Sequence, residues 1–194
     1  MMKIVVGISG ASGAIYGIRT LEVLRHLGIE SHVVISDAAK QTIHHETPYK
    51  VKDILNLVSH SYDQKDIGAA ISSGSFKVDG MIVAPCSIKT LSAIANSYND
   101  ELITRAADVQ LKERRKLVLL VRETPLNLSH LNHMTIITQM GGVILPPVPS
   151  FYHLPKSVDD IVNHTVGKAL DQFGIEAHLF DRWKGLEQSN TLNV

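Results

Sequence analysis

KIVVGISGASGAIYG, residues Lys3 to Gly17, is the stretch on which the fold reading turns. A short apolar run passes through a Gly/Ser loop into a segment with helical spacing of its apolar residues, the pattern of a strand, a turn and a helix. Such a turn is an anion-binding device. Small residues let backbone N–H groups, with the hydroxyls of Ser9 and Ser12, converge on a phosphate at the positive end of the following helix. Gly7, Gly10 and Gly13 read G-x-x-G-x-x-G. That spacing fits neither the dinucleotide G-x-G-x-x-G nor the P-loop, whose Gly-Lys-Ser/Thr ending is missing. A phosphate other than that of NAD or ATP is expected, against the alternative of a tight turn that holds no ligand.

Working outward, Glu30 to Ile35 reads as a second strand, with Ser36 and Asp37 capping a helix that runs to about His45. The polar region from Thr47 to Gly74 predicts a short helix and a mobile stretch. Asp79 to Ala84 reads as the third strand, entering Pro85, Cys86 and Ser87 before a helix from Ile88 to Asn96. A further helix is expected over Asp100 to Arg115, and Lys116 to Val121 (KLVLLV) is a run expected of a parallel strand covered on both faces. A helix over Asn127 to Met140, a short strand over Val143 to Leu145, a proline-rich loop and a helix over Ser157 to Phe173 complete the order. Strands and helices alternate, so right-handed crossovers give an α/β fold: a Rossmann-like doubly wound parallel sheet, three-layer α/β/α, in a single domain. Ligands then belong outside the carboxyl ends of the strands.

The 194 residues suit one domain with a sizeable core, and 44% apolar content with 20% charge is ordinary for a globular protein. Lys+Arg and Asp+Glu balance at 19 each, so charge gives no general affinity for nucleic acid, and no membrane span is expected. Cys86 is the one cysteine, which excludes an intramolecular disulfide and, with no cleavable leader, points to the cytoplasm.

Three loops leave predicted strand ends: Ser9 to Gly13, Pro85 to Thr90, and Arg122 to Pro125. Ser87 and Thr90 start a helix whose free amides would add to those of the first loop, and Arg122 offers a planar fork for phosphate. Helix capping alone is the competing reading of Ser87. Glu123 beside Arg122 is a candidate acid/base or a structural ion pair. Glu46 is either a second carboxylate at the site or a solvated helix end. His130, His133, His44 and His45 complete no known metal pattern, so no metal is expected. Cys86 lacks an identifiable histidine base and reads as a buried thiol.

Taken together, GISGASGAIYG, SSGS, APCSIKTLSAIA, TRAADVQLKERRKLVLLVRETP and PPVPSFYHLP resemble the UbiX-type flavin prenyltransferases from Lys3 to about Trp183. The resemblance implies a flavoprotein domain over 1–185 with a polar tail at 186–194. It implies an enzyme that binds FMN and dimethylallyl phosphate and joins them, through N5 and C6 of the reduced flavin, into prenylated FMN with release of phosphate. That product would serve a UbiD-type decarboxylase, including in ubiquinone synthesis. Position by position, Gly10, Ala11, Ser12, Ser36, Ser87, Ile88, Lys89, Thr90 and Arg122 match FMN contacts. Tyr152 and Lys168 match ligands of the prenyl phosphate, Lys112 is a further phosphate ligand, and Trp183 matches an aromatic residue near the active site. Ser12, Glu46 and Glu123 match groups that handle protons. Lys168 stands where other members carry Arg, so the charge survives and the bidentate grip is lost. The cations would do the work of magnesium, and the family implies a homo-oligomer, a dodecamer, with sites shared between subunits. Two other readings compete: an FMN-dependent decarboxylase of the phosphopantothenoylcysteine decarboxylase type, whose P-x-M-N-x-x-M-W motif is missing here, and a noncatalytic flavin-carrying subunit of an aromatic-acid decarboxylase.

Overall fold

The computed structural model describes residues 2–183 and residue 185. Its strands are β1 (Lys3–Ile8), β2 (Glu30–Ile35), β3 (His60–Tyr62), β4 (Gly80–Cys86), β5 (Lys116–Val121) and β6 (Val143–Ile144). Its helices are α1 (Ala14–His26), α2 (Asp37–Glu46), α3 (Val51–Leu55), α4 (Ile88–Ala95), α5 (Leu102–Lys112), α6 (Leu128–Gln139) and α7 (Val158–Asp171). Every strand pair is parallel, in the order β3-β2-β1-β4-β5-β6. Chain order therefore reverses between β1 and β4, which opens a crevice at their carboxyl ends. No helix among the described residues is long and apolar enough to cross a membrane.

Side-chain alternation along the strands builds two cores from one sheet. Ile4, Val6 and Ile8 of β1 pack with Ile82, Val118 and Leu120 against α1, α2 and α7 on one face. Val5 packs with Met81, Val83, Leu117 and Leu119 against α4, α5 and the buried Ile137 of α6 on the other. The expected three-layer α/β/α architecture is what these two cores define.

Several boundaries differ from the sequence reading, three of them for a definite physical reason. β3 was not expected, because His-Ser-Tyr carries no apolar alternation; it forms by pairing with His32 to Val34 of β2, and the expected short helix precedes it as α3. β4 runs past Ala84 through Pro85 to Cys86, since a register shift between Val83 and Cys86 lets the strand absorb a residue that has no N–H to give. α5 stops at Lys112 rather than Arg115, because Arg114 turns into the left-handed region (φ 57°) and the Arg115 amide folds back onto Gln110 O.

Helix α1 lies so close to the sheet that one of its positions tolerates no side chain. A Cβ on Gly17 would stand 2.3 Å from the Ala84 carbonyl oxygen and 2.8 Å from Ile8. Gly to Ala within a helix ordinarily stabilises by about 0.5–1 kcal/mol. Here Gly17→Ala is expected to have the opposite sign and to destabilise by about 1–3 kcal/mol, read as a lowered urea midpoint; an unchanged or raised midpoint would contradict this close approach.

Candidate functional site

Four loops meet at the crevice, because β2, β1, β4 and β5 are neighbours in the sheet. Three of them, after β2, β1 and β5, continue the parallel ladder one step beyond their strands. Ser36 N donates to Ile8 O (3.0 Å), Ser9 N to Pro85 O (3.2 Å) and Arg122 N to Cys86 O (3.0 Å). The loops are thus held by the same bonds that hold the sheet.

Ser9 is where the first expectation needs correcting. Its buried hydroxyl donates to Pro85 O (2.9 Å) and accepts from Ser87 N (2.8 Å), so it ties two loops together and does not face an anion. Ser12, by contrast, is exposed at the crevice. Among the described residues the N–H groups of Gly10 and Ser12 have no intramolecular acceptor, whereas Ala11 N is bonded to Ser9 O (2.9 Å). A Cβ on Gly10 would fall 2.3 Å from Ala38 Cβ, so the loop lies flat on the first turn of α2.

Helix starts supply the field. α2 begins at Ser36, whose Oγ accepts from Ala39 N (3.1 Å), and α4 at Ser87, whose Oγ accepts from Thr90 N (3.3 Å) and donates to Thr90 Oγ1 (3.1 Å). Both serines therefore cap helices, and their placement still aims free amides at the crevice. α1 starts differently. Gly13 stands at φ 97° without a side-chain cap, and the first amides are met by Glu46 from the far end of α2. Glu46 Oε2 accepts from Gly13 N (2.8 Å) and lies 3.4 Å from Ala14 N. Glu46 is exposed at the end of α2 and caps the start of α1, so its carboxylate takes amides that the sequence reading offered to a phosphate.

Arg122 is exposed and makes no ion pair among the described residues, which leaves its guanidinium available to an anion. Glu123 is not its partner. The Glu123 carboxylate accepts from Thr124 N (2.9 Å) and is exposed. Tyr16, which the sequence reading missed, sits half-buried near Arg122; burial raises its pKa, opposed by the Thr165 hydroxyl and the Arg122 charge. Ile88 is half-buried and Thr90 buried. Lys89 points to the surface, paired with Glu101 (2.9 Å) and Asp100 (3.7 Å).

The remaining candidates sit on other elements. α5 begins beside Gln64 at the carboxyl edge and ends at Lys112 on the amino edge, where Lys112 pairs with Glu113 next to Gly74. Tyr152, Lys168 and Trp183 gather along α7 instead. Tyr152 meets Trp183 edge-on at 5.8 Å and bonds to His164 (2.9 Å), while Lys168 lies 3.7 Å from Asp171. His164 was also missed; it is buried against His153 and Phe180, on the face of α7 opposite Val162, Val166 and Ala169.

One donor set of metal-like geometry occurs among the described residues: Glu30, His32 and His60, with ligand atoms within 4.8 Å of one another. It lies on the amino half of β2 and β3, away from the crevice. There Lys3 already pairs with Glu30 (3.2 Å), and the two imidazoles stack at 4.7 Å rather than converge.

The fold, with helix N-termini and a free guanidinium at its switch point, is that of a protein built to hold a phosphorylated ligand. The flavoprotein family matches residues 1–170. The flavin prenyltransferase UbiX of Thauera aromatica is 60% identical over 187 residues, 96% of either chain. A crystal structure of AnUbiX (PadA1) in complex with FMN and dimethylallyl pyrophosphate superposes with a TM-score of 0.94 at 48% identity, covering 96% of this chain and 99% of that one. A dodecameric FMN-dependent UbiX-like decarboxylase from Escherichia coli O157:H7 gives a TM-score of 0.93 at 51% identity over 95% of this chain and 100% of its own. The chain belongs to the flavoprotein family and, within it, to the UbiX flavin prenyltransferases.

Cys86 ends β4 fully buried, and burial pushes its thiol well above the ordinary range. A neutral, inaccessible thiol is not a nucleophile. Iodoacetamide at pH 8 should leave Cys86 unlabelled in the folded protein and alkylate it in urea, as read by intact mass; rapid native labelling would contradict this burial.

Proposed function

We propose that this protein is a flavin prenyltransferase that joins the dimethylallyl group of dimethylallyl phosphate to N5 and C6 of reduced FMN and releases phosphate. The observation that carries the reading is the near-complete likeness, TM-score 0.94, to a structure holding both FMN and a prenyl donor. The crevice fits such a ligand: the unbonded amides of Gly10 and Ser12, the helix starts at Ser36 and Ser87, and the unpaired Arg122. Reduced FMN supplies the electron-rich nitrogen and carbon that the prenyl group joins.

The chain's own residues bind, orient and move protons. Gly10, Ala11, Ser12, Ser36, Ser87, Ile88, Lys89, Thr90 and Arg122 hold the flavin mononucleotide. Tyr152, Lys168 and Lys112 receive the departing phosphate, so that fixed cations and a phenol offset the charge that a magnesium ion would otherwise meet. Trp183 walls the prenyl chain. Glu123, Ser12 and Glu46 carry protons between the reacting ring and water.

Because Lys112 lies at the amino edge of its own chain, away from the crevice, a neighbouring subunit supplies it in a homo-oligomer, a dodecamer as in the relative from Escherichia coli O157:H7. Phe151, Leu154 and Val158 around Tyr152, and Leu128 and Leu131 on α6, are exposed apolar side chains that such contacts would cover. The product passes to a UbiD-type decarboxylase in the cytoplasm.

Anaerobic incubation with reduced FMN and dimethylallyl phosphate, followed by flavin mass analysis, should yield a five-carbon adduct. Its absence overturns the reading; turnover of phosphopantothenoylcysteine without a prenyl donor would favour the decarboxylase alternative, and bound FMN without chemistry a flavin carrier. Glu123→Gln should keep FMN affinity within about twofold and slow adduct formation by about 10²-fold, measured in single turnover; an unchanged rate removes its proton-transfer role.

A further inference from the structure

We propose that His164 is the positioning residue that turns the Tyr152 hydroxyl outward, as a hydrogen-bond donor to the phosphate of the prenyl substrate. The proposal rests on the prenyltransferase reading and on the assignment of Tyr152 to that phosphate.

His164 is buried on α7 and sits in a closed polar set. Its Nε2 lies 2.9 Å from Tyr152 Oη. Ser150 Oγ straddles the ring edge, 3.3 Å from Nδ1 and 3.1 Å from Nε2. His153 stacks on the imidazole at 4.7 Å with planes 8° apart, and Phe180 closes another side at 4.6 Å. Burial, followed by the neighbouring His153 and Lys168, lowers the His164 pKa against an opposing pull from Asp171, which favours the neutral ring.

A neutral imidazole has one N–H and one acceptor nitrogen, and the two tautomers give the phenol opposite faces. With the hydrogen on Nδ1, Nε2 takes the Tyr152 hydrogen and the phenol presents only lone pairs, which repel a phosphate. With the hydrogen on Nε2, His164 donates to Tyr152 Oη, and the phenolic hydrogen is free to point away from α7. Ser150 Oγ, which also lies 3.3 Å from His153 Nδ1, can meet either tautomer. Only the second leaves the phenolic hydrogen free for an anion, on the exposed side of Tyr152. Lys168, one turn beyond His164 on the same face of α7, places an ammonium beside it.

The test is equilibrium binding of dimethylallyl phosphate to the FMN-loaded protein, by calorimetry, so that it does not depend on turnover. His164→Leu is expected to weaken binding about tenfold, the scale of one hydrogen bond to a charged group, while FMN affinity stays within about twofold. His164→Gln, whose amide N–H can replace Nε2–H, should recover most of the loss. In a Tyr152→Phe background, His164→Leu should add less than about twofold, because the two residues act as one unit. An undiminished tenfold loss in that background, a Gln variant no better than Leu, or unchanged donor affinity in His164→Leu would each overturn the proposal. Failure of the wild-type protein to form an adduct would instead overturn the prenyltransferase reading, with the binding series still deciding the role of His164.

Discussion

The Ser9 hydroxyl holds the end of β1 against the end of β4, taking a hydrogen from Ser87 N and giving its own to Pro85 O. These are the two strands between which chain order reverses, and no crossover helix closes the gap at that point. An open switch point is useful only if its walls keep a fixed separation. Ser9 supplies that fixity from inside the sheet, where water does not compete and a missing partner would leave Ser87 N–H exposed to an apolar surround. The amides of the first loop, the α4 start and Arg122 all take their positions from it.

Much of the fold was legible because its signals are local. Apolar runs such as Lys116 to Val121, and capping residues such as Ser36, Ser87, Asn127 and Ser157, mark their own elements, and each of these caps is observed. β3 was hidden because its identity comes from β2, not from its own three residues. The site divides in the same way. Gly10, Ser12 and Arg122 follow from their place after strands, which alternation dictates. The partners of Glu46 and Ser9 do not, because they are 33 and 76–78 residues away in sequence and depend on how helices lie across the sheet. Glu123 and Arg122, adjacent in the chain, looked like a pair; the structure turns the carboxylate onto its own loop and leaves the guanidinium free.

The charges assigned to phosphate are divided between two ends of the molecule. Arg122 stands at the carboxyl edge of the sheet, and Lys112 at the other end of α5, about 16 Å of helix away at the usual rise. A net charge of zero hides this arrangement, since Lys112, Arg114, Arg115 and Lys116 surround the single acid Glu113 and are offset by acidic residues elsewhere in the chain. On the proposed assignment of Arg122 to FMN and Lys112 to the donor phosphate, the two ligands meet only through more than one copy of the chain, and α6 and the surroundings of Phe151 carry exposed apolar side chains for such a contact.

The contact between Gly10 and Ala38 has a consequence for how the family can vary. Gly10 has no unusual φ to defend; its smallness is dictated only by a methyl group across the loop. The two positions share one small volume, so they are expected to drift as a couple. A lineage that acquired glycine at 38 would gain freedom at 10, and one that enlarged 38 would push the phosphate loop off α2. Substitution patterns at either position carry meaning only when the other is considered with it.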